Sequence, residues 1–273
     1  MLSLLALGSS ATWGTSDFLA GLISRRLPAA AVVGWSQGIA LLALSVVVVW
    51  SGDLGNPGWV GWAALAGAAG AGALVCFYAA LSSGTMGVVA PVASLGVVVP
   101  VVLGLATGDQ PSPVAWTGMA VAITGVALAS GPELSGAVSA RPVVLATIAA
   151  VGFGVALFAL DRGARVSTLH TLWGMRLTSV LAFAAAGLRR RSTGGVHRRD
   201  LPMLAVIGLG DLGANVLFAV ASSRGQVSVA SVLASLYPVV TVLLARAVLH
   251  ERLRGIQKAG VVLSMVGAAA IAA

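Results

Sequence analysis

Apolar runs of about 20 residues, the length that a membrane-crossing helix needs, recur along the whole chain and end at short polar or Gly/Pro-rich breaks. Breaking at charges, Gly-Pro clusters and Ser-Gly pairs gives ten spans. The first half holds Ser3–Ile23, Pro28–Trp50, Gly58–Leu81, Gly87–Thr107 and Val114–Ala129. The second holds Pro142–Leu160, Thr168–Leu188, Leu201–Ala221, Gln226–Leu249 and Gly255–Ala273. The pattern predicts an all-α integral membrane protein with ten transmembrane helices. The first span is read as retained rather than as a signal peptide: no cationic segment precedes it, and Trp13, Ser16 and Asp17 interrupt its apolar core. The longest polar connection, Arg189 to Asp200, is only about a dozen residues, so no extramembrane domain is expected.

Composition changes the picture only by exclusion. Of the 273 residues, 58% are hydrophobic and 9% charged, against about 25% charged in soluble domains. A soluble cytosolic enzyme, a disordered chain and a collagen-like chain are excluded. The 35 glycines and 10 prolines fit helices that approach closely in lipid. The single cysteine, Cys76, excludes an internal disulfide framework and an all-cysteine metal site. Lys and Arg number 16 against 8 acids, but they cluster in the breaks, as at Arg189-Arg190-Arg191 and Arg198-Arg199. Such clusters anchor spans at anionic headgroups, and no nucleic-acid partner is expected, because no basic helix with interleaved aromatics occurs.

The two halves repeat. A slide of 141 positions sets Phe77 on Phe218, Ala80 on Ala221, Ser82 on Ser223 and Gly84 on Gly225. It also sets Ala93-Ser94-Leu95 on Ala234-Ser235-Leu236, and Val98-Val99 on Val239-Val240. Upstream, a slide of 140 sets Gly14 on Gly154, Arg25 on Arg165 and Gly34 on Gly174. Five spans per unit is an odd number, so the second unit (142–273) must enter the membrane with polarity opposite to the first (1–130). Two inverted five-helix repeats are expected, an architecture of secondary transporters whose substrate sits near the midplane between the halves. Channels and some membrane enzymes also use it.

Several short motifs carry a resemblance. They are Trp13-Gly14, Ala80-Leu81-x-x-Gly84, Val89-Ala90-Pro91-Val92-Ala93-Ser94-Leu95, Ser235-Leu236-Tyr237-Pro238-Val239-Val240 and His250-Glu251-Arg252-Leu253, followed by Gly260 and Gly267. In this order and duplication the chain resembles the ten-helix EamA-type permeases of the drug/metabolite transporter superfamily. The resemblance implies carrier-type movement of small metabolites, often export of amino acids or drugs, without ATP. The chain departs from that pattern before the fifth span, where Asp109-Gln110-Pro111 replaces the expected acid; a structural rather than a transport role is expected for Glu251.

Most charges lie at span ends, where they are expected to reach water; Asp17, Arg176 and Asp211 do not. A charge at a helix centre costs roughly 2.5–3.5 kcal/mol, so it needs a partner or a watery cavity. Arg176 and Asp211 lie near the middle of consecutive spans, with Asn215 one turn beyond Asp211 on the same face. They are read as a midplane pair, either a static pin between helices or a substrate or proton site that alternating access separates. Trp13 and Asp17, four apart, suit an amine or cation between an aromatic plate and a carboxylate; an interfacial Trp with a snorkelling Asp is the alternative. Gln37, Tyr78, Ser94, Phe153, Ser231, Ser235 and Tyr237 are candidate cavity lining, with packing or interhelical bonding the plainer role. Pro91, Pro100 and Pro238 remove donors and are expected to bend their helices.

Catalytic patterns are lacking. His170, His197 and His250 lie near span ends without H-E-x-x-H spacing, and no Cys-His cluster or P-loop occurs, so no metal, cofactor or ATP is expected. The leading reading is a non-enzymatic secondary transporter, an exporter of a small organic metabolite across the cytoplasmic membrane, with proton coupling open. The alternative is an intramembrane enzyme acting on a lipid or isoprenoid head group. Lipid and a small-molecule substrate are the expected partners, and a homodimer is left open. Loops after odd-numbered spans hold most of the arginines, which places those loops in the cytoplasm and both termini outside; the resembled permeases place both termini inside.

Overall fold

The computed structural model describes residues 1–52, 55–83, 89, 92–129, 140–249 and 255–272. All regular structure among them is helical. In chain order the helices are α1 (Leu2–Ile23), α2 (Ala29–Ser51), α3 (Val60–Ser83), α4 (Val98–Ala106), α5 (Pro113–Ala129), α6 (Ala140–Arg190), α7 (Leu201–Ser223), α8 (Val227–Ala234), α9 (Tyr237–Leu249) and α10 (Gly255–Ala272). Four helical segments are long and apolar enough to cross a membrane: Ala29–Ser51, Pro57–Ser83, Ala140–Arg189 and Arg198–Ser223. Val92–Ala106, Pro113–Leu128, Val227–Thr241 and Lys258–Ile271 are shorter apolar helices. Side chains such as Leu42, Val49, Trp50, Val262 and Met265 are exposed, as a lipid-facing surface requires. The chain is a multi-pass membrane protein.

Two elements differ from the sequence expectation. The break expected between Leu160 and Thr168 narrows to one residue: the first arm of α6 continues to Val166, and Ser167 (φ −159°, ψ 112°) separates it from a second helical arm that starts at Thr168. The charges there do not mark a loop because they pair along the helix; Arg165 Nε donates to Asp161 Oδ2 at 3.1 Å, one turn away. Ser167 Oγ then accepts from His170 N–H at 3.4 Å and caps the second arm of α6. The span expected over Gln226–Leu249 is split into α8 and α9 at Ser235 and Leu236. Pro238 lacks the N–H that would reach the Ala234 carbonyl, so the ladder fails there. Pro100 and Pro238 both stand within the first turn of a helix; they mark helix starts after an interruption rather than bends within a helix. Pro91 and the His250–Leu253 motif lie outside the described residues.

Packing contacts repeat with the sequence. A Cβ on Gly154 of α6 would stand 2.4 Å from Gly96 O and 2.5 Å from Val99 Cβ. One on Gly14 of α1 would stand 2.5 Å from Tyr237 O and 2.6 Å from Val240 Cβ. Those neighbours correspond under the slide, as do the glycines, so the same close approach is made twice. The ring pairs behave alike: Phe77 meets Phe153 at 5.6 Å and Phe218 meets Trp13 at 5.9 Å.

Polar contacts sort the loops into two ends. At one end Arg26 pairs with Asp200 at 2.7 Å, and Trp35 Nε1 donates to Thr193 O at 3.1 Å. At the other, residues 107–110 meet Arg162 and residues 226–228. The N-terminus belongs to this second end, since Leu2 and Ser3 line a crevice there with Gln110 and Gln226.

Candidate functional site

Between the halves lies a cavity of about 90 Å³ whose wall is built from equivalent positions of both repeats. Trp13 and Phe153, Ser94 and Ser235, Ala93 and Ala234, and Gly96 and Tyr237 all line it in matched pairs. So do Asp17 and Leu157, Gly70 and Asp211, and Leu74 and Asn215. The scaffold is duplicated while the charges are not: each acid faces an uncharged residue at the matching position.

Asp211 of α7 gathers donors from three other helices. Arg176 Nη2 of α6 stands 2.8 Å from Oδ2, and Gln37 Nε2 of α2 donates to the same oxygen at 3.1 Å. Trp13 Nε1 of α1 donates to Oδ1 at 3.0 Å, and Asn215 Nδ2 donates to Oδ1 at 3.1 Å and to the Asp211 carbonyl at 2.7 Å. Arg176 is 1% exposed. Removing two charges from water costs several kcal/mol per ion, which such a network offsets only when the geometry satisfies both groups. Asp211 is satisfied. Arg176 is not: its Nε and Nη2 lack an aligned hydrogen-bond acceptor among the described residues.

Asp17 is the second buried carboxylate. Tyr78 of α3 donates to its Oδ1 at 3.1 Å, and no cation stands within ion-pair distance among the described residues. Two acids and one guanidinium therefore share the cavity, an excess of one negative charge. Gln37 Oε1 and the Tyr237 hydroxyl are also buried without hydrogen-bond partners among the described residues. Among the described residues the site thus holds a carboxylate without a paired cation and a guanidinium whose Nε lacks an acceptor, set in apolar walls of Ala71, Leu74, Val97, Leu157 and Met175.

Of the candidates read from sequence, Trp13, Asp17, Gln37, Ser94, Phe153, Arg176, Asp211, Asn215, Ser235 and Tyr237 line the cavity. Tyr78 stands behind Asp17, and Ser231 is fully buried with its Oγ unpartnered among the described residues; neither lines the cavity. Sequence reasoning missed Ser179, which lines it one turn beyond Arg176 while donating to Gly67 O at 3.1 Å; its i+3 spacing from Arg176 was the available signal. The expectation that other charges reach water is corrected at Asp161 and Asp200, both fully buried. Asp161 is shielded by Arg162 and Arg165, and Asp200 by Arg26 and the His197 backbone N–H at 2.9 Å. Among the described residues no cluster of three His, Cys, Asp or Glu could hold a metal ion.

No curated protein matches the chain. One solved crystal structure shares its fold with a TM-score of 0.80 at 20% identity, over 98% of this chain and 95% of that chain. The EamA-like transporter family model matches twice, over residues 1–131 and 140–273. The chain belongs to the EamA-like transporter family.

Proposed function

We propose that the protein is a secondary transporter that crosses the cytoplasmic membrane with ten helices, as two inverted five-helix units, and exports a small zwitterionic metabolite of amino-acid size. The single observation that carries this reading is the pairing of unmet groups across one central cavity. Among the described residues Asp17 has no cation within ion-pair distance, and Arg176, though paired with Asp211, keeps its Nε without an acceptor. A substrate ammonium at Asp17 and a substrate carboxylate beside the Arg176 guanidinium would each meet a group of opposite charge. Trp13 adds an aromatic face beside the cationic end.

The same geometry supports proton coupling. With the cavity empty, the excess negative charge is expensive in an apolar wall, and a proton on Asp17 removes it. A substrate ammonium that displaces this proton makes proton entry and substrate exit alternate, with no ATP required. The polar groups gather in a cavity between matched halves rather than at one end, which favours a carrier over an intramembrane enzyme. Arginines concentrate at the end that holds Arg26 and residues 189–199, which supports a cytoplasmic location for that end. The test is a screen of labelled amino acids in proteoliposomes, with and without a pH gradient. Saturable counterflow of a small zwitterion is expected; product formation without flux would contradict the reading.

A further inference from the structure

At the end of the molecule that carries the N-terminus, the loop between α4 and α5 reaches across to the start of α8 in the other half. Asp109 Oδ2 accepts the Ser228 backbone N–H at 2.9 Å and the Ser228 hydroxyl at 2.8 Å. The N-cap residue of α8, Gln226, makes no side-chain cap bond. An acid from the opposite repeat therefore does the capping, where a negative charge suits the helix dipole. Two more bonds cross beside it: Gln226 Nε2 donates to Gln110 O at 3.1 Å, and the Arg162 guanidinium donates to the Thr107 hydroxyl.

The acid is aimed by its own turn. Asp109 N–H donates to Gly104 O at 2.9 Å, and Gly108 supplies the left-handed backbone (φ +109°) that closes the loop. A Cβ at Gly104 would lie 2.7 Å from Asp109 Oδ2 and 2.8 Å from Val227 Cγ1. The carboxylate, the last turn of α4 and the first turn of α8 are thus wedged together. α8 is only eight residues long, and its far end, Ala234 followed by Ser235, is cavity wall. Displacing its start therefore displaces the wall.

We infer that the Asp109–Ser228 contact is a latch between the repeats that must part each time the cavity opens toward the N-terminal end. This rests on the alternating-access reading above. It gives Asp109 a positioning role: the carboxylate touches no substrate and acts through α8. A cap exchanged for water on opening makes a reversible latch, because water can satisfy both the acid and the Ser228 N–H once they separate.

The test reads access rather than flux. In a Cys76→Ser background, Ala234→Cys reports from the cavity wall, and a membrane-impermeant thiol reagent is added on the side that labels Arg224→Cys. Adding Asp109→Ala should speed labelling of the reporter at least fivefold. Bridging Asp109→Cys to Ser228→Cys with a short bifunctional thiosulfonate should suppress labelling well below that of the Ser228→Cys variant without Asp109→Cys treated alike, and a reducing agent, removed before labelling, should restore it. Equal labelling with and without Asp109→Ala, or undiminished labelling of the bridged protein, would overturn the latch. The bridged variant keeps the test open where Asp109→Ala fails to fold. No substrate enters the measurement, so a failed latch and a failed zwitterion assignment give separate results.

Discussion

Arg176 Nη2 and Asp211 Oδ2 stand 2.8 Å apart in the cavity between the repeats, and the guanidinium is almost wholly buried. Breaking a buried pair on one side leaves an uncompensated charge and costs about 3–5 kcal/mol. Arg176→Leu should therefore unfold the protein at markedly lower temperature. Arg176→Leu with Asp211→Leu should regain most of that stability without regaining pH-dependent flux. A double variant that also recovers flux would make the pair purely structural. Full activity in Asp211→Asn would remove any need for an ionised acid there.

The duplicated close approaches at Gly14 and Gly154 make a packing prediction. An added methyl at either would meet a carbonyl oxygen at about the same short distance. Gly14→Ala and Gly154→Ala should each destabilise by roughly 1–3 kcal/mol. Gly38→Ala should be neutral or stabilising, since nothing lies within 4 Å of its Cβ position and alanine favours the helix. Thermal unfolding in detergent checks all three.

At the arginine-rich end, Asp200 is fully buried while Arg26 is half exposed. Asp200 also holds the His197 N–H, so its loss strands more groups than the loss of Arg26. Asp200→Ala should lower Tm clearly more than Arg26→Ala. Equal shifts would show that the acid serves Arg26 alone.

Orientation is testable with single cysteines placed in a Cys76→Ser background. Ser192 and Asn56 lie exposed in loops at opposite ends. An impermeant reagent outside intact cells should label Asn56→Cys and spare Ser192→Cys. The reverse pattern would put both termini inside.

The helices were legible because apolar length and breaks are strong signals, and the repeat was legible through Phe77 with Phe218 and Gly14 with Gly154. The extension of the first arm of α6 to Val166 was not, because Asp161 and Arg165 look like loop charges until their i,i+4 pairing is seen. The meeting of Arg176 and Asp211 followed from mid-span placement on consecutive helices. The isolation of Asp17 did not, since no spacing reveals that Trp13, four residues away, turns its N–H to Asp211. Asp109 was visible only as a departure from a family pattern; its partner Ser228 lies 119 positions away, beyond any local reading.

The central claim is that Asp17 and Arg176 are the two poles of a zwitterion site and that Asp17 exchanges a proton for the substrate ammonium. Proteoliposomes holding wild type or Asp17→Asn, assayed for uptake of labelled small amino acids under an imposed pH gradient, test it most directly. Wild type should accumulate a small amino acid against its gradient, and Asp17→Asn, folded by the same thermal criterion, should lose that pH-driven accumulation at least tenfold. Undiminished pH-driven accumulation in Asp17→Asn would contradict the account.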